Sequence, residues 1–296
     1  MPIDSSHART PSAVSASAKS RHPVALGEVQ RTLLVPLWAR AKEQSVLSPL
    51  LRDPLAPQVL ASLDWDARLL DQARASQLGC VVRAAQIDQW ICSFVAEHPE
   101  ATIVELGVGL NTRAMRLREG LSRSVRWYEV DLPDVMSLRD QCIARQENCV
   151  RISADLRDLS SLRALLSAPN RSTLVVAEGV LVYLAPNEVR SLLRWLVRDL
   201  GAHELIFDCM APIVRTLQGL HDAMRHFDAR FTWEIADISE LTRWEPSLRI
   251  ADNVSFYALL FVHAERLPRW MRWARPLVER AYPQVRDVYR VLRLTA

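Results

Sequence analysis

Gly107 and Gly109, followed along the chain by Asp131, Asp155 and Glu178, are residue types suited to gripping a nucleoside. Glycine removes the Cβ where backbone and ligand must approach, and a helix opening just beyond supplies free amide donors. A carboxylate accepts from both hydroxyls of a ribose, which suits Asp131, and Asp155 is placed to accept from an adenine amino group. A dinucleotide fingerprint wants Gly or Ala three residues after the second glycine, and Thr112 stands there; the lysine of a P-loop is also missing. The turn that remains suits S-adenosylmethionine, a nucleoside joined to an amino acid and carrying no phosphate. Taken singly, the glycine pair reads equally as a structural turn. Asp131 reads equally as the cap of a helix opening at Pro133, and Glu129 is a second candidate for the ribose.

These residues need one sheet edge to bring them together. Ala101–Leu106 reads as a buried parallel strand ending at the glycine turn, Ser124–Val130 as the next, and Val150–Ser153 as a third. Thr173–Ala177 is a fourth, delivering Glu178-Gly179. Four successive strand tips thus carry a glycine turn or a carboxylate. Asp158 reads as the cap of a helix over 160–167, and Pro186 opens a helix to about Asp199. His203–Asp208, Leu248–Val254 and Val285–Thr295 read as strands five to seven, the last antiparallel. Upstream, apolar spacing predicts a helix from Glu28 to Glu43 kinked at Pro36, and a second over Val81–Val95, both lying across the strand tips. Residues 211–244 read as largely helical around a short strand at Phe231–Glu234, and Leu267–Ala281 as a helix with Trp270 and Trp273 packed on the sheet.

With these motifs in place, the chain resembles the leucine carboxyl methyltransferase family, in its branch of tetracenomycin-type polyketide O-methyltransferases. The resemblance is carried by GVGLNTR, WYEVDLPDV, ADLRDLSSL and AEGVLVYLAP, with TLLVPLWARAKE, LLRDPLA and VVRAAQID upstream, and covers about residues 30–210. It implies a Rossmann-like, seven-stranded class I methyltransferase sheet in an α/β domain, with N-terminal helices and a helical insertion after strand five. It also implies Arg83 on the carboxylate of S-adenosylmethionine, Gly107 and Gly109 at the turn, and Asp131 on the ribose. Asp155 and Leu156 fall beside the adenine, with Glu178 after the fourth strand. The family usually has Asp where this chain has Asn111, which removes a charge near the turn.

Composition bounds the rest. The chain has 296 residues, 49% of them hydrophobic, enough for one large domain over 24–296, with a helical cap over 24–98 and a substrate-side insertion over 211–245. Residues 1–23, rich in Ser, Ala and Pro, read as a disordered tail. A net charge of +3 gives no basic face for nucleic acid, and of the 37 Lys and Arg residues only Lys19 and Lys42 are Lys, as in a GC-rich bacterial genome. Five cysteines without CxxC or matching His spacing read as buried, reduced thiols of a cytoplasmic protein with no metal site. No signal peptide or apolar span suggests a membrane.

The expected activity is S-adenosylmethionine-dependent O-methylation of a carboxyl or phenolic hydroxyl on a small aromatic polyketide or peptide metabolite, free or carrier-tethered, in antibiotic biosynthesis. A protein C-terminus as acceptor, a non-catalytic cofactor-binding module and a nucleic-acid methyltransferase are the rivals. The last lacks its Asn/Asp-Pro-Pro-Tyr motif after strand four. Tyr183, His221 and His226 are candidates to face the acceptor, and Trp233 and Trp244 to line an aromatic pocket. The absence of an obvious His-acid pair favours an acceptor already ionised.

Overall fold

The computed structural model describes residues 21–166 and 171–296. Residues 1–20 of the expected tail lie outside them. The end of that stretch is ordered: His22–Pro23 pairs in parallel with Leu63–Asp64, the His22 N–H donating to Ser62 O at 2.8 Å.

The apolar runs assemble one seven-stranded sheet: β1 (Thr102–Leu106), β2 (Arg126–Asp131), β3 (Cys149–Ser153), β4 (Thr173–Ala177), β5 (Glu204–Met210), β6 (Arg249–Ser255) and β7 (Tyr289–Thr295). Their spatial order is β3-β2-β1-β4-β5-β7-β6; β7 runs antiparallel to both neighbours, as expected. Every residue of β1 and β4 is buried, because helices cover both faces. Alternation along the strands divides the core in two. Val104, Leu106, Val175 and Phe207 pack under Leu192, Leu193 and Leu196 of α8 (Pro186–Arg198). Ile103, Leu174, Val176 and Ile206 pack under Ile87, Trp90, Ile91 and Phe94 of α4 (Arg74–Glu97). Each such side chain contributes about 1.5–3 kcal/mol by leaving water.

Ahead of the sheet, the expected helix over Glu28–Glu43 is split into α1 (Glu28–Arg31) and α2 (Leu34–Glu43). Pro36 has no N–H for the carbonyl of Thr32, so the chain breaks ahead of the proline and Val35 N–H takes that carbonyl at 3.0 Å. Asp158 caps α7 (Leu159–Leu165), as read.

Several expectations fail for identifiable reasons. Phe231–Glu234 is not a strand. It is an extended single chain whose Thr232 and Trp233 amides both donate to Val182 O, so it finds no sheet partner. The 211–244 segment is short pieces, α9 (Pro212–Thr216), two 3-10 turns and α10 (Ser239–Trp244), joined by extended chain. Trp233 is 0% exposed and sits in the core against Phe207 and Trp244. On α12 (Arg269–Ala281), Trp270 and Trp273 face solvent at 68% and 78% exposure instead of packing on the sheet. The inner side of α12 is mixed: Met271 packs on the Leu78, Val82 and Leu260 cluster, while Arg275 lies 4.7 Å over the Phe261 ring, so amphipathicity alone misassigns which face turns inward. Cys92 is exposed rather than buried.

The two tryptophan environments separate in a stability measurement. Trp233→Ala should cost about 3–5 kcal/mol in urea unfolding, the range for emptying a large core site. Trp273→Ala should stay within about 0.5 kcal/mol of the parent. A Trp233→Ala loss below about 1 kcal/mol would contradict this core.

Candidate functional site

The strand tips form the floor of a cavity of about 570 Å3. Pairing register sets them side by side. Leu106 pairs with Val130 and Asp131 with Ser153, which places Gly107, Asp131 and Ala154 at one edge; Ala177 pairs with Phe207, adding Glu178 and Asp208. Arg83, Gly107, Gly109, Asp131, Asp155, Leu156 and Glu178 all line this cavity, so every residue read as cofactor-facing is brought to it. Thr32, Leu33, Pro36 and Arg40 of the N-terminal segment also line it.

The glycine turn is held by its carbonyls. Arg139 on α6 (Pro133–Cys142) donates to Gly109 O at 3.0 Å and Asn111 O at 2.6 Å, and Arg40 on α2 donates to Leu110 O at 2.9 Å. The turn's amides are answered within the protein as well: Gly107 and Val108 N–H donate to Val130 O at 2.8 and 3.2 Å, Asn111 N–H to Val108 O at 3.0 Å, and Gly109 N–H to Asp131 Oδ2 at 2.7 Å. Gly107 has φ +62°, and a Cβ there would meet Val180 Cγ2 at 1.8 Å, so the close approach of the two loops requires glycine. Asp131 is not the cap of α6. That place is Leu132, while Asp131 accepts from the amides of Gly109 and Leu132. Burial pushes its carboxyl up to about 6 against those two donors. A buried carboxylate with only two donors has capacity to accept from a diol as well. Glu129 is removed from contention: it is buried and bound by Arg139 and Arg151.

Beneath the turn runs a buried ion network that the sequence does not announce. Arg113, opening α5 (Arg113–Arg116), is fully buried and bonds Asp88 of α4, Glu105 of β1 and Glu178 after β4. Burial alone would raise Glu178, but Arg113 and Arg83 hold its carboxyl down at about 2. Arg83 bonds Glu178 at 2.9 Å and the Tyr289 hydroxyl at 2.6 Å, while its second terminal nitrogen makes no hydrogen bond among the described residues. Asp53 accepts from Arg40 and from Thr112. Asn111 keeps a cation after all, its oxygen accepting from Arg116 at 2.6 Å. Asp53, Arg113 and Tyr289 escaped the sequence reading because Thr112, Glu178 and Arg83, with which they pair, lie far along the chain; Glu105, only 8 residues from Arg113, sits inside an otherwise apolar strand.

The far end of the cavity is apolar: Val182, Met210, Met224 and Phe231 cluster with Tyr183 and Val214. Phe256 reaches it across Gly79, where a Cβ would meet its ring at 2.4 Å. Tyr183 lines this end with its hydroxyl pushed by burial up to about 12. His221 also lines the cavity. His226 does not: its ring accepts from Arg225 at the surface, so it leaves the candidate list. The pocket aromatics are Tyr183, Phe231, Phe256 and Tyr289, in place of Trp233 and Trp244.

The sequence profile described as leucine carboxyl methyltransferase matches residues 34–197. The tetracenomycin polyketide synthesis O-methyltransferase TcmP of Streptomyces glaucescens is 30% identical over 273 residues, 92% of this chain and 98% of that protein. The S-adenosyl-L-methionine-dependent methyltransferase dpfgK of Gibberella zeae is 30% identical over 260 residues, 81% of this chain and 87% of its own length. Among solved structures, a DUF574 family protein from Streptomyces avermitilis superposes with a TM-score of 0.51 at 12% identity, covering 87% of this chain and 96% of that one. That likeness concerns the fold.

Asp131 gives the ligand-free protein a testable pH dependence. Its folded value, about 6, lies above the ordinary 3.8, so the group's contribution to stability is complete below about pH 4 and is lost as pH rises through 6. Asp131→Asn should therefore stabilise the protein at pH 7.5, by up to about 3 kcal/mol at 1.36 kcal/mol per pKa unit, with no gain at pH 3.5. Equal effects at both pH values would show that the carboxyl is not strained by burial.

Proposed function

The chain belongs to the leucine carboxyl methyltransferase family, an S-adenosylmethionine-dependent methyltransferase, and we propose that it methylates a carboxylate oxygen of a small, aromatic natural product. The observation that carries the reading is the division of one cavity into a hydrogen-bonding end and an apolar, aromatic end. Asp131 and Asp155 stand at β2 and β3, and Met210 at β5, three strand positions from β2. At the usual strand spacing that is about 14 Å, room for a nucleoside-amino acid and an acceptor in line.

In this reading Asp131 takes the ribose hydroxyls, Asp155 and Leu156 the adenine, and the free nitrogen of Arg83 the amino-acid carboxylate. Glu178 holds Arg83 in place, and Gly107 and Gly109 leave room for the ligand to approach the turn. S-adenosylmethionine, when bound, supplies an electrophilic methyl on a sulfonium. The chain's part is to hold the acceptor oxygen at near-attack distance and exclude water, which α1 and α2 do from above.

A carboxylate is favoured because, among the described residues, the acceptor end offers no free base: Nδ1 of His221 already accepts from the Ala223 and Met224 amides. Glu178 is paired with two arginines. Burial pushes the Cys80 thiol up to about 11 and the Tyr183 hydroxyl up to about 12. A phenol, ionising near pH 10, needs a base at neutral pH, whereas a carboxylic acid ionising near 4 does not. The relative from Streptomyces glaucescens, described as a polyketide O-methyltransferase, supports an acceptor of that class. The five free cysteines among the described residues suit a reducing compartment, the cytoplasm.

Two experiments test this reading. With 3-hydroxy-2-naphthoate, which carries both oxygens, methyl-labelled cofactor should give the alkali-labile ester; an alkali-stable ether would overturn the carboxyl assignment. Arg83→Ala should weaken S-adenosylmethionine by about 1.5–3 kcal/mol in calorimetry, the range for hydrogen bonds to charged groups. Methylthioadenosine, which lacks the carboxylate, should be far less affected. Equal losses would mean that Arg83 only holds the fold.

A further inference from the structure

His221 lies in a segment that the family profile, ending at residue 197, does not reach, so no role comes to it from that match. Its ring lines the cavity, and its two nitrogens are not equivalent. Nδ1 accepts from the backbone amides of Ala223 at 3.4 Å and Met224 at 3.2 Å. Backbone amides only donate, so Nδ1 carries no proton. The neighbouring Asp222 does not change this. It is committed to the start of α4, accepting from the amides of Ala75 at 3.1 Å and Ser76 at 3.3 Å and from the Ser76 hydroxyl. That hydroxyl, 3.5 Å from Nδ1, has its proton turned to Asp222. The ring proton of neutral His221 is therefore on Nε2, which bonds nothing among the described residues. Partial burial, with 41% of the side chain still exposed, lowers the pKa of His221 and so favours the neutral ring.

We propose that His221 is the acceptor's binding residue, donating its Nε2–H to one oxygen of the acceptor carboxylate and never taking a proton. The inference rests on the carboxylate reading above and gives it a hydrogen-bond partner at the apolar end. The chemistry balances without a base. As a carboxylate oxygen bonds the methyl, the carbon–sulfur pair returns to sulfur, leaving a neutral ester and a neutral thioether with no proton released. A donor that holds one oxygen leaves the other free to attack.

The loop cap and the donor can be separated by substitution. In His221→Asn, the amide oxygen occupies the place of Nδ1 and keeps the cap but loses the donor. In His221→Gln, the amide nitrogen reaches the place of Nε2 and restores a donor. The probe is 2-naphthoate, titrated calorimetrically into protein saturated with S-adenosylhomocysteine. His221→Asn should bind S-adenosylmethionine as the parent does and lose about 10- to 100-fold in 2-naphthoate affinity, the range for a hydrogen bond to a charged group. His221→Gln should recover most of that loss. In the 15N spectrum of histidine-labelled protein, the ring signal missing from His221→Asn should show Nε2 protonated and Nδ1 bare. An Nδ1–H ring, or undiminished 2-naphthoate binding by His221→Asn, overturns the role of His221 alone. A parent protein that binds S-adenosylmethionine yet neither binds nor methylates 2-naphthoate overturns the aromatic-carboxylate reading beneath it, and the inference falls with it.

Discussion

A guanidinium taken fully out of water is costly unless every side of it is answered, and Arg113 is such a group. Its answers come from three elements, Asp88 on α4, Glu105 on β1 and Glu178 beyond β4, so these elements have one relative placement in which the charge is satisfied. Losing one partner of a buried pair costs about 3–5 kcal/mol, comparable with the whole stability of many domains. The position of the glycine turn follows from the same economy of charge. Arg139 and Arg40, both buried, take the carbonyls of residues 109 to 111, while the amides of Gly107, Val108, Gly109 and Asn111 donate to Val130 O, Asp131 and Val108 O.

This network explains the motifs better than any of them explains itself. Arg40 of WARAKE, Asp53 of LLRDPLA, Asp88 of VVRAAQID, Thr112 and Arg113 of GLNTR and Glu178 of AEGVLVY lie far apart in sequence and are joined in two linked sets of bonds. Their types and local positions were legible. Their pairing was not, because hydrogen-bond partners 59 or 65 residues apart leave no local periodicity.

The strands and their tips were legible for a different reason. A strand buried on both faces is written as a short apolar run, and Thr173–Ala177 has the expected bounds to the residue. Features decided by tertiary choice were not legible. Trp233 and Trp270 are the same residue type in similarly amphipathic surroundings, yet one is enclosed by Phe207 and Trp244 and the other faces water. His221 had no sequence mark beyond its type. Its tautomer is set by two amides of its own loop, a contact that depends on the 3-10 turn at Met224–His226. At Asp131 the sequence left two readings open, and the helix at Pro133 opens without a side-chain cap, which leaves an Asp131 oxygen turned to the glycine turn.

The two ends of the cavity draw largely on different stretches of chain. The charged scaffold uses residues up to Asp208 and the final strand's Tyr289, whereas the apolar wall adds to Val182 and Tyr183 the last residue of β5, Met210, and then Val214, Met224, Phe231 and Phe256 from the loops and short helices that follow. No ion pair of the Arg113 set passes through that wall. Its side chains can be exchanged for others of different volume while the electrostatic keystone stays in place. Such a chassis lets new acceptors be acquired by rewriting a lining, and evolvability here is a matter of where the chain keeps its charges.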